Sequence, residues 1–137
     1  MSESLASLKV RYPDAETFAL GDSHALSERL IRLIRQGRKM ASTGAYRDFE
    51  LGEAMPEPGR ADIVLDWSGH PALVIRTVEV RRCTFLEVTE EMALAEGEDE
   101  CLDGWREGHQ RFFERNGGFS PDMEIIWERF ELIEDLA

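Results

Sequence analysis

The sequence predicts an α+β fold, a small mixed β-barrel with helices packed outside it. Three observations carry this expectation. Several short segments either alternate apolar and polar residues or are rich in β-branched ones, as strands are. Two clearly amphipathic helical stretches fall between the first and last of those segments. The helices and strands do not alternate regularly, so a doubly wound parallel sheet is not expected.

The elements follow in chain order. Residues 1–20 carry scattered apolar positions (Leu5, Leu8, Val10, Tyr12, Phe18) broken by Pro13. A short helix and an irregular segment packed on the barrel fit that pattern. Gly21-Asp22-Ser23 then starts a helix, with Asp22 or Ser23 accepting from first-turn amides. Leu26, Leu30, Leu33 and Ile34 recur at helical spacing, Ile31 widens the stripe, and Gly37 falls where a left-handed C-cap belongs. Arg29, Arg32 and Arg35 lie off the stripe. They are either a solvated face suited to a helix C-terminus or a basic approach to Arg38 and Lys39.

Between residues 40 and 50 the pattern is mixed, and a strand is expected over Ala45-Tyr46-Arg47-Asp48-Phe49. Pro56-Glu57-Pro58-Gly59 is a turn, residues 61–67 a strand, and Ser68-Gly69-His70-Pro71 a second turn. Residues 72–85, with Val74, Ile75, Thr77, Val78, Val80 and Thr84, form the strongest strand pattern in the chain. Thr89 opens a short helix ending near Ala95, and an acidic stretch runs from Glu96 to Glu100. A second long helix carries Leu102, Trp105, His109, Phe112 and Phe113 on one stripe and stops at Asn116-Gly117-Gly118. Residues 123–132 read as a closing strand, with Glu124, Glu128 and Glu131 keeping parts of it wet.

At 137 residues the chain has the size of one domain, and no linker or repeat divides it. Residues 1–137 are read as that domain, with 1–20 as an N-terminal extension. No apolar run approaches the roughly 20 residues a membrane helix needs. The start lacks the basic and apolar regions of a signal peptide, so a cytoplasmic location is expected. Cys83 and Cys101 are too few for a disulfide framework and read as free thiols. With no Cys-x-x-Cys or His-x-x-x-His pair, a structural zinc site is not expected.

The net charge is −12, concentrated in the second half: residues 71–137 hold 17 acidic and 7 basic residues, residues 1–70 hold 11 and 9. Such a chain repels long duplex nucleic acid unless its basic residues gather on one face. Any nucleic acid contact is therefore expected to use the first half of the chain.

The candidate chemistry centres on Gly37-Arg38-Lys39-Met40-Ala41-Ser42-Thr43-Gly44. A lysine just past a helix end is ordinarily a surface residue. Drawn partly out of water it gives up its proton more readily, and a Lys–Ser or Lys–Thr pair then serves as base and nucleophile. Glu96 ends an apolar helix, so its side chain can face a cleft while its neighbours face water. Clustered carboxylates are ordinarily a solvated loop; a divalent cation at Glu96, Glu98 and Asp99 is the lesser alternative to a cofactor-free site. Trp105 and His109, one turn apart, are either core or site. Tyr46 and Trp67 are candidate stacking residues, and Thr77 lies within the long strand.

These pieces resemble one known family. The order Gly21-Asp22-Ser23, amphipathic helix, Gly37-Arg38-Lys39-x-Ala41-Ser42, Pro56-x-x-Gly59, Val74-Ile75-Arg76-Thr77-Val78-Glu79-Val80, Val88-Thr89-Glu90-x-x-Ala93-x-x-Glu96-Gly97-Glu98, Trp105-Arg106-x-x-His109-x-x-Phe112-Phe113 is similar to the ASCH domain, in its longer bacterial single-domain form. The resemblance implies a PUA-like barrel of about five to six strands with a cleft that binds RNA or nucleosides. Some short members are amidohydrolases that deacylate N4-acetylcytidine with a lysine, a threonine and a glutamate; another is a metal-dependent ribonuclease. Carried over by motif, the catalytic set is Lys39, Ser42 and Glu96. Arg35, Arg38, Thr43, Tyr46, Thr77, Trp105 and His109 complete the expected substrate-binding set. The chain departs from the family's Gly-x-Lys-Thr-Ala-Thr at Met40 and at Ser42, which keeps a nucleophilic hydroxyl, and Cys101 stands where a serine is common. A non-catalytic RNA-binding module is the alternative reading, and a metal-dependent ribonuclease using the acidic loop is a more distant one.

Overall fold

The computed structural model describes residues 3–136. Its elements are α1 (Leu5–Arg11), β1 (Thr17–Ala19), α2 (His24–Arg35), β2 (Ala41–Ala45), α3 (Tyr46–Glu50), β3 (Ala61–Leu65), β4 (Pro71–Thr84), a 3-10 turn (Phe85–Glu87), α4 (Glu90–Ala95), α5 (Leu102–Arg115) and β5 (Glu124–Asp135). The five strands form one sheet in the order β1-β3-β4-β5-β2. Only β1 and β3 run parallel; the other three pairings are antiparallel. The predicted barrel is realised as a curled half-barrel, an α+β fold with five helices. Register shifts at Val74/Ile75 and Thr77/Glu79 in the β4–β5 ladder bend the sheet.

Three apolar clusters hold the helices to the sheet. Leu8 from α1 is fully buried and packs with Ala15, Ile63 and Val74. On the opposite face of the same strands, Leu30, Ile31 and Ile34 of α2 meet Leu73, Ile75 and Phe130. The third cluster joins Met92, Ala93, Trp105 and Phe113 of α4 and α5 to Ala41, Ala45, Ile125 and Trp127. Helix starts follow the sequence signals: Ser23 and Thr89 accept from Leu26 and Met92 amides. Gly37 has φ +74°, the left-handed conformation expected after α2.

Two local expectations are corrected. The strand placed over residues 45–49 lies at Ala41–Ala45, and residues 46–50 are helix α3. Ala-Ser-Thr-Gly-Ala has little strand propensity; it is held extended by its ladder to β5, from Ala41↔Arg129 to Ala45↔Ile125. Gly44 lets α3 close, because a Cβ there would sit 3.1 Å from the Phe49 ring. The second is β1, three residues within the segment expected to be irregular, which exists through its parallel pairing with β3. Among the described residues no helix is long and apolar enough to cross a membrane. Cys83 and Cys101 are free thiols.

Candidate functional site

Backbone contacts build the site. After Gly37 the chain reverses, and the Met40 amide donates to the Ala95 carbonyl at the end of α4 (2.8 Å). The Met40 carbonyl accepts from Phe130 of β5 (2.9 Å). One residue thus ties the Lys39 segment to α4 and to the sheet. Glu96 and Lys39 are both buried beside this junction, at 1% and 2% exposure.

The Glu96 carboxylate is saturated with donors. Its Oε2 accepts from Thr43 Oγ1 (2.6 Å) and Trp105 Nε1 (2.7 Å). Its Oε1 faces His109 Nε2 (3.3 Å) and Lys39 Nζ (3.5 Å). His109 Nδ1 lies 2.9 Å from the Trp105 carbonyl oxygen. A carbonyl only accepts, so Nδ1 carries a proton, and Nε2 facing a carboxylate carries the other. Burial alone would lower the His109 pKa, but the Glu96 charge and hydrogen bond outweigh it and raise it. Burial likewise pushes Glu96 up, yet the His109 and Lys39 charges prevail and hold it down at about 2. Lys39 Nζ makes its shorter contact, 2.8 Å, with Glu98 Oε2. Two cations and two anions therefore balance in a nearly dry cluster, which a lone buried ion could not do.

This cluster forms the wall of a cavity of about 210 Å³ that also touches Leu26, Phe112 and, at its rim, Arg29 and Arg115. A second cavity of about 340 Å³ adjoins it, sharing Leu20, Gly21, Ser42, Thr43 and Phe112. The cleft is thus two compartments divided along β2.

A family model described as ASCH domain matches residues 16–134. The chain belongs to the ASCH family. Among solved structures it is similar to a protein of Enterococcus faecalis V583, at 32% identity and TM-score 0.80, over 89% of this chain and 78% of that one. It is also similar to an ASCH domain from Lactobacillus crispatus JV V101, at 29% identity and TM-score 0.79, over 91% and 83%. A hypothetical protein at 19% identity and TM-score 0.55, covering 79% of this chain and 94% of that one, shares the fold alone. No curated protein matches the sequence.

In this ASCH domain the predicted residues separate into two groups. Lys39, Thr43, Glu96, Trp105 and His109 converge in one network. Ser42 lines both compartments but makes no hydrogen bond to Lys39 or Glu96 among the described residues; strand alternation gives that contact to Thr43. The other expected binders stand apart. Arg35 pairs with Asp135 on the surface (2.9 Å), Arg38 is exposed, and Tyr46 lies 3.8 Å beneath the Arg82 guanidinium. Trp67 is 46% exposed on a turn. Thr77 is buried and donates to Glu128 Oε2 (3.0 Å).

Two residues escaped the sequence reading. Glu128 sits in the closing strand among glutamates that all looked solvent-facing, and Asp62 is buried at 4% exposure against Arg60 (2.8 Å). Alternation within residues 123–132 was the available signal for Glu128, since it falls in phase with Ile126 and Phe130. Glu96, Glu98 and His109 place ligand atoms within 4.8 Å of one another, the spacing of a cation site. That set differs from the expected Glu96, Glu98 and Asp99, and Lys39 Nζ already lies against both glutamates.

Proposed function

We propose that this protein binds a pyrimidine nucleoside, free or at the end of a short single-stranded RNA, and hydrolyses an N4-acylcytidine-type amide in the cleft. The observation that carries this reading is the junction of Lys39, Thr43 and Glu96 at a cavity wall, with the Ser42 hydroxyl at the boundary of the neighbouring compartment. The ASCH family is proposed to bind RNA, and a base-sized ligand suits a cleft with an aromatic wall at Phe112. The net charge of −12 favours a ligand with few phosphates.

The roles follow from the charges. Lys39, a buried cation on the wall of the smaller compartment, would stabilise the oxyanion formed when a hydroxyl attacks the amide carbonyl. Glu96 holds Lys39, Thr43 and His109 in place; at a pKa of about 2 it is a weak proton acceptor at neutral pH. The ammonium of Lys39 also supplies the positive charge that a metal ion would bring to Glu96 and Glu98, so the proposed reaction uses no cofactor.

Purified protein should release acetate from N4-acetylcytidine near neutral pH, and Lys39→Ala should lower kcat/KM by about 100-fold or more. Absence of turnover by wild type between pH 6 and 9, or a Lys39→Ala variant as active as wild type, would count against hydrolysis. Binding of cytidine-ended RNA without turnover would favour the non-catalytic module.

A further inference from the structure

Strand alternation sends Ser42 and Thr43 to opposite faces of β2. Thr43 joins the Glu96 cluster, and Ser42, which lines both compartments, shares the larger one with Glu128. Its direct partner in the β2–β5 ladder is Glu128. Residues directly opposite in an antiparallel pair place their Cβ atoms about 4.5–5.5 Å apart on one face of the sheet. Both side chains line the same compartment. Glu128 Oε2 is held by Thr77 Oγ1 (3.0 Å), while Oε1 has no hydrogen-bond partner among the described residues. The hydroxyl of Ser42 is likewise unpaired there.

We propose that Glu128 is the general base that activates Ser42, forming a Ser–Glu pair across β2 and β5. The inference rests on reading the cleft as an acyl-transfer site. Lys39, engaged by Glu98 and Glu96, then acts through its charge rather than by taking the serine proton.

The groups around Glu128 suit the task. Burial pushes its carboxyl up and Asp62 adds to the push. The Thr77 hydrogen bond and the Arg60 and Lys39 cations pull the other way, and the balance leaves it at about 7. Arg60 is itself committed to Asp62 through two contacts, 2.8 and 3.1 Å. The remaining charged groups on this compartment, Glu16, Asp48 and Glu53, are all acidic. A base titrating near the working pH is the most effective kind.

The step balances as follows. The Glu128 carboxylate takes the proton from Ser42 Oγ as that oxygen bonds to the amide carbonyl carbon. The C–N bond then breaks, and the leaving amine takes the proton from Glu128. Water attacks the resulting ester, its proton passing to Glu128 and then to the Ser42 oxygen as the acid departs.

The test uses p-nitrophenyl acetate, whose reaction needs no knowledge of the natural substrate. Nitrophenolate release and the mass of the intact protein are followed from pH 5 to 9. Wild type should gain one acetyl group on Ser42, at a rate that levels off above an inflexion near pH 7. Ser42→Ala should lose the adduct, and Glu128→Gln should slow acylation by about 100-fold. Glu128→Asp, which keeps a carboxylate, should retain the inflexion at reduced rate and guards against misreading a folding defect. Acylation of Glu128→Gln at the wild-type rate, or no adduct on Ser42, overturns the proposal. Glu128-dependent acylation of Ser42 in a protein that leaves N4-acetylcytidine intact instead overturns the proposed substrate and leaves the pair standing.

Discussion

Gly97 and Arg38 meet backbone to backbone: a Cβ on Gly97 would lie 2.0 Å from the Arg38 carbonyl oxygen. Gly97 also has φ +70°, a conformation that side chains disfavour. This contact brings Glu96 against Lys39. A Gly97→Ala substitution must move one segment away from the other. It should cost at least about 2 kcal/mol, seen as a melting temperature lower by roughly 5 °C or more. Nucleoside affinity should fall with it, whereas alanine at Gly59, which carries similar backbone strain at φ +90° but where a Cβ meets nothing within 4 Å, should leave binding unchanged.

The Glu96 pKa of about 2 lies below the ordinary 4.5. Over that interval the native protein binds fewer protons than the unfolded chain. The stability Glu96 contributes is complete above pH 4.5 and is lost as the pH falls towards 2. Glu96→Gln leaves His109 without its anion and Lys39 with Glu98 alone, and should cost about 3–5 kcal/mol at neutral pH. Urea midpoints should show the gap between wild type and variant shrinking below pH 4.5; a gap independent of pH would contradict the assignment.

Glu128 has the opposite sign. Its carboxyl sits at about 7 against an ordinary 4.5, so the native state holds the proton more tightly than the unfolded chain. Its favourable contribution is complete below pH 4.5 and is lost as the pH rises through 7. Glu128→Gln should be more stable than wild type at pH 8 by about 1–2 kcal/mol, an advantage that disappears by pH 5. Stability gained while acylation is lost is the usual mark of a group kept for function.

The two neighbouring hydroxyls should part company. Thr43→Val removes a donor to a buried carboxylate and should cost about 1.5–3 kcal/mol. Ser42→Ala removes a hydroxyl with no bonded partner and should alter stability by less than about 0.5 kcal/mol while abolishing amide turnover. Thermal melts and acetate release on the same preparations distinguish the two.

Arg35 offers a negative control. Its guanidinium pairs with Asp135 on the surface, away from both compartments. Arg35→Ala should change nucleoside affinity by less than about two-fold, since an exposed ion pair contributes little.

Much of this architecture was legible in the residues. The α2 stripe, the Thr89 and Ser23 caps, the long β4 pattern and the glycine after α2 are local signals, set by helical or strand period and by backbone sterics. Lys39 and Glu96 were found by motif, and both are buried at the cleft. Local signals failed where pairing overrode propensity, as in Ala41–Ala45, which is a strand only because β5 holds it. They failed also on direction. Whether Ser42 or Thr43 meets Glu96 depends on which face of β2 turns towards α5, and no single stretch encodes that. Glu128 looked like one of several wet glutamates until the β2–β5 register set it opposite Ser42 in one compartment of the cleft. By itself, then, the sequence determined the elements, the family and the chemical types at hand. The curl of the sheet decided which of them are out of water and face each other, because burial and charge pairing depend on distances that only the folded chain creates.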